Sequence, residues 1–485
     1  MTRTAIPATP SFTSPRGVLA SLSLSMLLSS LGTSIANVGL PTLAQAFGAS
    51  FQQVQWVVLA YLLAITTVVV SVGRLGDLVG RRRLLLAGIA LFTAASALCG
   101  LAPSLGWLVA ARAVQGLGAA VMMALTMALV ADAVPQEKTG SAMGLLGTLS
   151  AVGTALGPTL GGALIAAWGW PALFFINLPL GLAALVLARR YLPADLQRAA
   201  TAPRPRFDMV GTVLLAATLA AYALAMTLGR GHFGALNLAL LAGAAVGLGL
   251  FVGAQHRAGR RAGGAAPLVP LALFKSPVLG AGFAMGALVT TVVMATLVVG
   301  PFYLSGALGL GAAQVGLAMS CGPLVSALAG MPAGRLVDRL GTQRTTVAGL
   351  IAMAAGSAAL ALLPAGLGVA GYVAPLVVIT AGYALFQAAN NTAVMAATAL
   401  QPQQRGVTAG LLNLSRNLGL VTGASAMGAV FAWGARSQGI ATAQPGAVAA
   451  GMQATFGVAA VLVVVALGIA VAWGAPRQGA FARPV

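Results

Sequence analysis

The chain has 485 residues, 59% of them hydrophobic and 7% charged. A soluble domain carries about a quarter charged residues, so this composition excludes a water-dispersed globule of the same length. The formal charge of +20 would suit a nucleic-acid binder, but the basic residues fall between long apolar runs. That placement points to membrane topology and to a lipid bilayer as the partner, with no nucleic acid.

A helix crosses a hydrocarbon core of about 30 Å with roughly 20 residues. The sequence predicts fourteen such spans in an all-α integral membrane fold. The first six are 17–40, 54–73, 84–102, 105–131, 141–167 and 172–188. A pair follows at 211–228 and 235–254, and six more at 278–303, 315–334, 345–363, 373–394, 407–433 and 455–473. These runs are too long and too continuously apolar for barrel strands. The polar segment before Arg16 does not read as a cleavable signal. Placing the amino terminus inside puts every Lys and Arg on the inner side except Arg230 and Arg436, outside, and Arg112 and Arg416, within spans. The positive-inside rule then predicts a multi-pass protein of the cell (inner) membrane with both termini cytoplasmic.

The two cysteines, Cys99 and Cys321, lie in separate apolar runs and read as small buried side chains. No metal-ligand cluster, phosphate loop or dinucleotide fingerprint occurs, so no metal, cofactor or enzymatic activity is expected, and transport energy must come from a gradient or a partner. An internal repeat divides the chain. Gly73-Arg-Leu-Gly-Asp-Leu-Val-Gly80 at the end of the second span is echoed by Gly334-Arg-Leu-Val-Asp-Arg-Leu-Gly341 at the end of the tenth. Gly144, Gly153 and Gly157 of the fifth are echoed by Gly410, Gly419 and Gly423 of the thirteenth. Both echoes shift by eight spans. The expected organisation is a six-helix half over 1–200, a two-helix insert with its linkers over 201–270, and a second six-helix half over 271–485. Parallel halves of this kind are a transporter architecture.

Candidate functional residues follow the same order. Asn37 closes the first span, and Tyr61 lies in the second. The loop residues Gly73, Asp77, Gly80, Arg81 and Arg82, with Asp338 and Arg339 of the second copy, form a candidate cytoplasmic gate. In it a carboxylate meets a facing helix end or an arginine; the ordinary alternative is a solvated basic loop. Arg112, with Gln115 beside it, sits at membrane depth, where an arginine costs roughly 2.5–3.5 kcal/mol on insertion scales and is expected to face a polar cavity. Gly153, Gly157 and Gly161 repeat every four residues and predict a smooth ridge for close helix contact. Pro158 removes a hydrogen bond between them, and Gly162 completes a candidate hinge. Arg416 of the thirteenth span shares a helical face with Asn413 and Asn417, and Gln387, Asn390 and Asn391 add polar groups on the twelfth.

These motifs resemble those of the major facilitator superfamily, and specifically its fourteen-helix drug:proton antiporter branch. The loop after the second span matches at Gly73, Asp77, Gly80, Arg81 and Arg82, with Leu78 departing from the usual basic residue. Leu108, Arg112, Gln115, Gly116, Gly118, Ala119 and Ala120 match the fourth-span pattern. Gly144, Gly153, Gly157, Pro158, Gly161 and Gly162 match the antiporter signature, which in that family marks exporters. Asn37-Val-Gly-Leu-Pro41, Trp56 and Tyr61 match the branch. The resemblance implies a multidrug or natural-product exporter working by alternating access, with coupling to protons. The rival within transport is movement of small organic anions without a carboxylate to carry the proton. One departure separates the two readings: Gly32 stands where the branch places an acidic residue. With all six acidic residues at inner helix ends or in inner loops, the expected substrate is a small hydrophobic neutral or anionic compound, with Arg112 or Arg416 as the anion's partner. Nothing in the sequence excludes a periplasmic adaptor.

Overall fold

A computed structural model describes residues 15–133, 139–192, 208–228, 234–260, 267–269, 276–397, 402–436 and 443–473. Arg230, Glu137, Lys138 and Asp195, whose charges bear on the predicted orientation, lie outside them. Among the described residues the fold is all helix, with no strand. Thirteen helices are long and apolar enough to cross a membrane, and a shorter apolar stretch, Val152–Trp168, ends a fourteenth long helix.

The first group comprises α1 (Pro15–Val38), the short α2 (Leu40–Ala46), α3 (Phe51–Val79), α4 (Arg81–Gly100), α5 (Leu105–Ala133) and α6 (Thr139–Trp168). It closes with α7 (Ala172–Phe175) and α8 (Asn177–Tyr191). The predicted sixth span is therefore broken at Ile176 into two pieces. A pair follows, α9 (Met209–Thr227) and α10 (Ala235–Arg260). The remainder is α11 (Pro277–Gly306), α12 (Ala312–Leu340), α13 (Thr342–Leu362), α14 (Gly368–Ala397), α15 (Pro402–Thr422), α16 (Gly428–Ala435) and α17 (Pro445–Trp473). A π-helical turn, Gly423–Met427, joins α15 to α16.

Local chemistry fixes the ends. Ser50 and Gln53 form a reciprocal capping box at the start of α3, with Ser50 N donating to Gln53 Oε1 at 2.8 Å and Gln53 N to Ser50 Oγ at 3.3 Å. This satisfies two of the orphan donors of a helix start. The two repeated loops are shorter than their motifs: α3 runs on to Val79 and α12 to Leu340, so each turn is a single glycine. Gly80 (φ 103°) and Gly341 (φ 81°) adopt the positive φ that L side chains avoid. The other motif glycines, Gly73 and Gly334, lie within their helices.

Helices pack through small residues, since lipid offers no hydrophobic drive between helices. Within the first group, α1 lies on α6, and α5 on both α3 and α4; within the last, α13 lies on α14 and α17, and α11 on α15 and α17. The α9–α10 pair is pinned at both ends. Asn237 Nδ2 donates to the carbonyls of Ala225 (2.7 Å) and Leu228 (2.8 Å). At the other end Gln255 Nε2 donates to Asp208 Oδ2 at 2.8 Å. The pair rests on α3 through Trp56 Nε1 donating to Thr227 Oγ1 (3.1 Å) and a Ser71–Thr212 hydroxyl contact (3.1 Å).

Candidate functional site

The glycines of α6 serve two different partners. A Cβ on Gly153 would meet the Leu27 carbonyl, one on Gly157 would strike Ser34, and one on Gly161 would meet Val38 and Ile35, all on α1. Ser30 and Ser150 add a hydroxyl pair at 2.7 Å across the same contact. Gly162 turns the other way: a Cβ there would lie 2.7 Å from the Ala312 carbonyl and 3.0 Å from Gly316 Cα on α12. Gly316 answers by approaching the Pro158 carbonyl, and Thr159 and Ser320 share a hydroxyl hydrogen bond. Pro158 itself is accommodated inside one continuous helix.

A second contact of the same kind joins α3 to the π turn. A π turn leaves a carbonyl without its usual helical donor, and Gln55 Nε2 donates to Ala424 O at 3.0 Å. Gly428 leaves room for the Gln55 amide. Phe51 packs edge-on against Phe302 (4.7 Å) and tilted on Phe431 (5.1 Å). Both contacts lie at the end of the molecule that holds the C-terminus of α1 and the N-terminus of α3. Toward the other end α12 is exposed at Leu324, Leu328 and Met331, and Gly330 and Gly334 have no neighbour within 4 Å of a Cβ. Asp338 and Arg339 are exposed there, and Asp338 has no ion-pair partner among the described residues. The first and last helix groups thus meet through α6 and α12 and through α3 and the π turn, and α12 is exposed toward the Gly341 turn.

Arg112 is not where the depth argument expected it. It is fully buried, at 0% exposure. Its Nε donates to Val57 O (2.8 Å), and Nη1 and Nη2 both reach Gly32 O (3.2 Å each). Nη1 also donates to Gln115 Oε1 (2.5 Å), and Gln115 Nε2 to Ser96 Oγ (2.6 Å). The guanidinium lies over the Tyr61 ring at 4.1 Å, a cation–π contact that strengthens when desolvated. Tyr61 in turn donates to Ser29 O at 2.9 Å. The charge is therefore solvated by carbonyl dipoles and a ring instead of a carboxylate, and it tethers α1, α3 and α5 within the first helix group. Gly32, where the branch has its acidic residue, supplies one of those carbonyls. Asn37 is also fully buried; its Nδ2 donates to Thr33 O at 3.1 Å and its Oδ1 has no partner.

Arg416 is half-buried and differently placed. Around α15, Ser415 donates to Phe283 O and Gly419 and Gly423 press on α11. Leu411 and Leu414 pack with Leu215 and Leu219 of α9. The remaining arc carries Asn413, Arg416, Asn417 and Leu420, and Ala424, which meets Gln55, stands at its head. Helical spacing of four puts Arg416, Leu420 and Ala424 in one row, so Arg416 lies on the side that meets α3 at the Gln55 contact. Asn413 is exposed, Gln387 half-buried, and Asn417 buried with its Nδ2 unpartnered. Asn390 is committed to Gly282 O (3.2 Å), while Asn391 is exposed.

Of the gate residues, Gly80 makes the turn, Arg81 is half-buried, and Arg82 Nη2 donates to Arg189 O at 2.7 Å at the end of α8. The surroundings of Gly73 and Asp77 lie outside the described set. Gln55, Thr159 and Ser320 are functional candidates that the sequence reading missed. A glutamine at the apolar start of α3 was the available signal, but its partner, a π-turn carbonyl, has none.

Two groups of long apolar helices, with echoing glycine contacts and packed against each other, have a transporter architecture. The model of the Major Facilitator Superfamily matches residues 22–424, and the chain belongs to that superfamily. It is 33% identical over 412 residues (84% of this chain, 87% of the relative) to the Uncharacterized transporter YebQ of Escherichia coli (strain K12). It is 32% identical over 420 residues (84% and 74%) to the Multidrug resistance protein Stp of Mycobacterium tuberculosis (strain CDC 1551 / Oshkosh). The Riboflavin transporter RibZ of Clostridioides difficile (strain 630) is 30% identical over 415 residues (86% and 88%). In fold, the chain resembles a bacterial homologue of the human lysosomal transporter Spinster, crystallised inward-facing and occupied. The TM-score is 0.67 at 16% identity, covering 94% of this chain and 96% of that one. The protein is a multi-pass membrane transporter, and its family consists of transporters, not enzymes.

Proposed function

We propose that this chain is a secondary-active exporter of small hydrophobic compounds that works by alternating access in the inner membrane. The observation that supports the reading is how the first and last helix groups meet: small-residue contacts (Gly162–Gly316) and a side-chain clasp (Gln55–Ala424) join them near one end. Contacts that bring backbones together without interlocking side chains can separate as rigid bodies, which alternating access requires. The packing echo supports two related halves over 1–200 and 271–485: Gly153 and Gly157 press on α1 as Gly419 and Gly423 press on α11. With the thirteen long helices and α6 as a fourteenth, an even count leaves both termini on one side, and the charge bias favours the cytoplasmic one. The opposite end, with the Gly80 and Gly341 turns, is then cytoplasmic, and Asp77, Arg81, Asp338 and Arg339 are the proposed latch of that end. The kinship to Stp, named a multidrug resistance protein, favours drug-like substrates.

A second reading, transport of organic anions without carboxylate-based proton coupling, is favoured by one observation. Among the described residues no carboxylate side chain lies within the middle of a span, and Arg112 is held by carbonyls. A susceptibility panel comparing deletion and overexpression strains tests the exporter reading. Overexpression is expected to raise resistance to several apolar compounds, and a flat panel contradicts export.

A further inference from the structure

The two intramembrane arginines differ in what they leave unused. Arg112 spends Nε, Nη1 and Nη2 on Val57, Gly32 and Gln115 inside the first helix group. Arg416 is half-buried, and only its main-chain carbonyl is engaged, accepting from Thr290 Oγ1 at 3.1 Å; its guanidinium has no partner among the described residues. It stands eight residues before Ala424 in the same row, about 12 Å along the helix from the Gln55 clasp at 1.5 Å per residue. That depth is well inside the span, on the arc between the faces given to α11 and α9. Asn417 borders the arc and carries a second unused donor, a buried Nδ2 with no partner.

No described carboxylate can neutralise this pair of donors. Asp208 caps α9 and binds Gln255, and Asp338 is exposed near the end of α12. Asp132 lies next to the last residue of α5 and Asp77 two residues from the end of α3. A half-desolvated guanidinium with free donors attracts an acceptor-rich anion and repels a cation. Leu420, next in the row, offers an apolar wall.

Resting on the exporter reading, we propose that Arg416, assisted by Asn417, is the anchor for the anionic head of amphiphilic substrates: an aromatic or alicyclic body bearing a carboxylate, sulfonate or phenolate. Quaternary cations are excluded by like charge. Arg112 takes no direct part in this recognition and acts as a positioning residue for α1, α3 and α5.

The test uses the purified full chain in lipid nanodiscs and three probes of one shape: naphthalene-2-sulfonate, neutral naphthalene-2-sulfonamide and trimethyl(naphthalen-2-yl)ammonium. Wild type is expected to bind the sulfonate at least about tenfold more tightly than the ammonium, as a charge-assisted hydrogen bond warrants. Arg416→Gln is expected to abolish that preference with an unchanged thermal melt, Arg416→Lys to keep most of it, and Arg344→Gln, an exposed basic site, to keep all of it. Equal binding of the two ions by wild type, no binding of the sulfonate, or an equal loss in Arg344→Gln overturns the proposal. Vesicle assays separate the two levels. Uphill pumping of cations that Arg416→Gln leaves intact sinks the anchor and spares the exporter. Sulfonate binding through Arg416 without uphill movement of any compound sinks the exporter and spares the anchor.

Discussion

At the scale of single residues, burial decides what an intramembrane charge can do. Arg112 holds three helices through carbonyls and a ring, and its geometry is that of a planar fork, not a point charge. Arg112→Lys places one ammonium where three nitrogens now reach Val57 O, Gly32 O and Gln115 Oε1, so at least one acceptor loses its donor. Each lost buried hydrogen bond to a charge costs about 1.5–3 kcal/mol. Both Arg112→Lys and Arg112→Ala are expected to lower the melting temperature of the purified protein and reduce transport; normal stability in the lysine variant contradicts the tether. The sequence located Arg112 by depth alone. Hydropathy assigns a residue to a span but not to a direction around it, and Gly32, Val57 and Tyr61 converge only after three helices pack. Arg416 could be placed more fully, because Asn413 and Asn417 on the same face marked that side as polar.

At the scale of the element, α6 and α3 show how one helix divides its faces between stability and motion. The ridge at 153, 157 and 161 belongs to α1, within one helix group, and Gly162 belongs to α12, in the other group. The two faces predict different failures. Gly157→Leu overpacks a fixed contact, a cost of about 1–3 kcal/mol, and is expected to lower thermal stability and abolish transport together. Gly162→Val forces α6 away from Gly316 while leaving the α1 contact, so the melt should stay near wild type. Thiol-reagent access to a cysteine placed at Thr159 should then rise. Equal melts for both variants contradict the division. Gln55→Leu removes the donor to Ala424 O and is expected to give the same opening as Gly162→Val. The helix positions were legible in the sequence because span length and apolarity are properties of single segments. The break at Ile176, the short α2 and the π turn were not, since each depends on a neighbour: a one-residue register shift at Gly423–Met427 is stable when Gln55 donates to the freed carbonyl.

At the scale of the whole molecule, two helix groups meet at the α6–α12 and α3–π-turn seams, and the Gly80 and Gly341 turns lie at the far end. The gate belongs here. Asp77→Asn removes the charge expected to latch that end when it closes, and turnover should fall while substrate binding is kept; normal turnover reduces the loop to a topology signal. The membrane orientation has its own check: an enzyme active only outside should be silent when fused at Val485 and active when fused after Arg230, and the reverse pattern contradicts cytoplasmic termini. The measurement that bears most directly on the exporter account is solute movement by the purified chain in proteoliposomes under an imposed proton gradient. The account predicts that a hydrophobic anion accumulates above its equilibrium level and that an uncoupler or Gly157→Leu abolishes the excess. Equilibration alone, with no accumulation under any gradient, would contradict it.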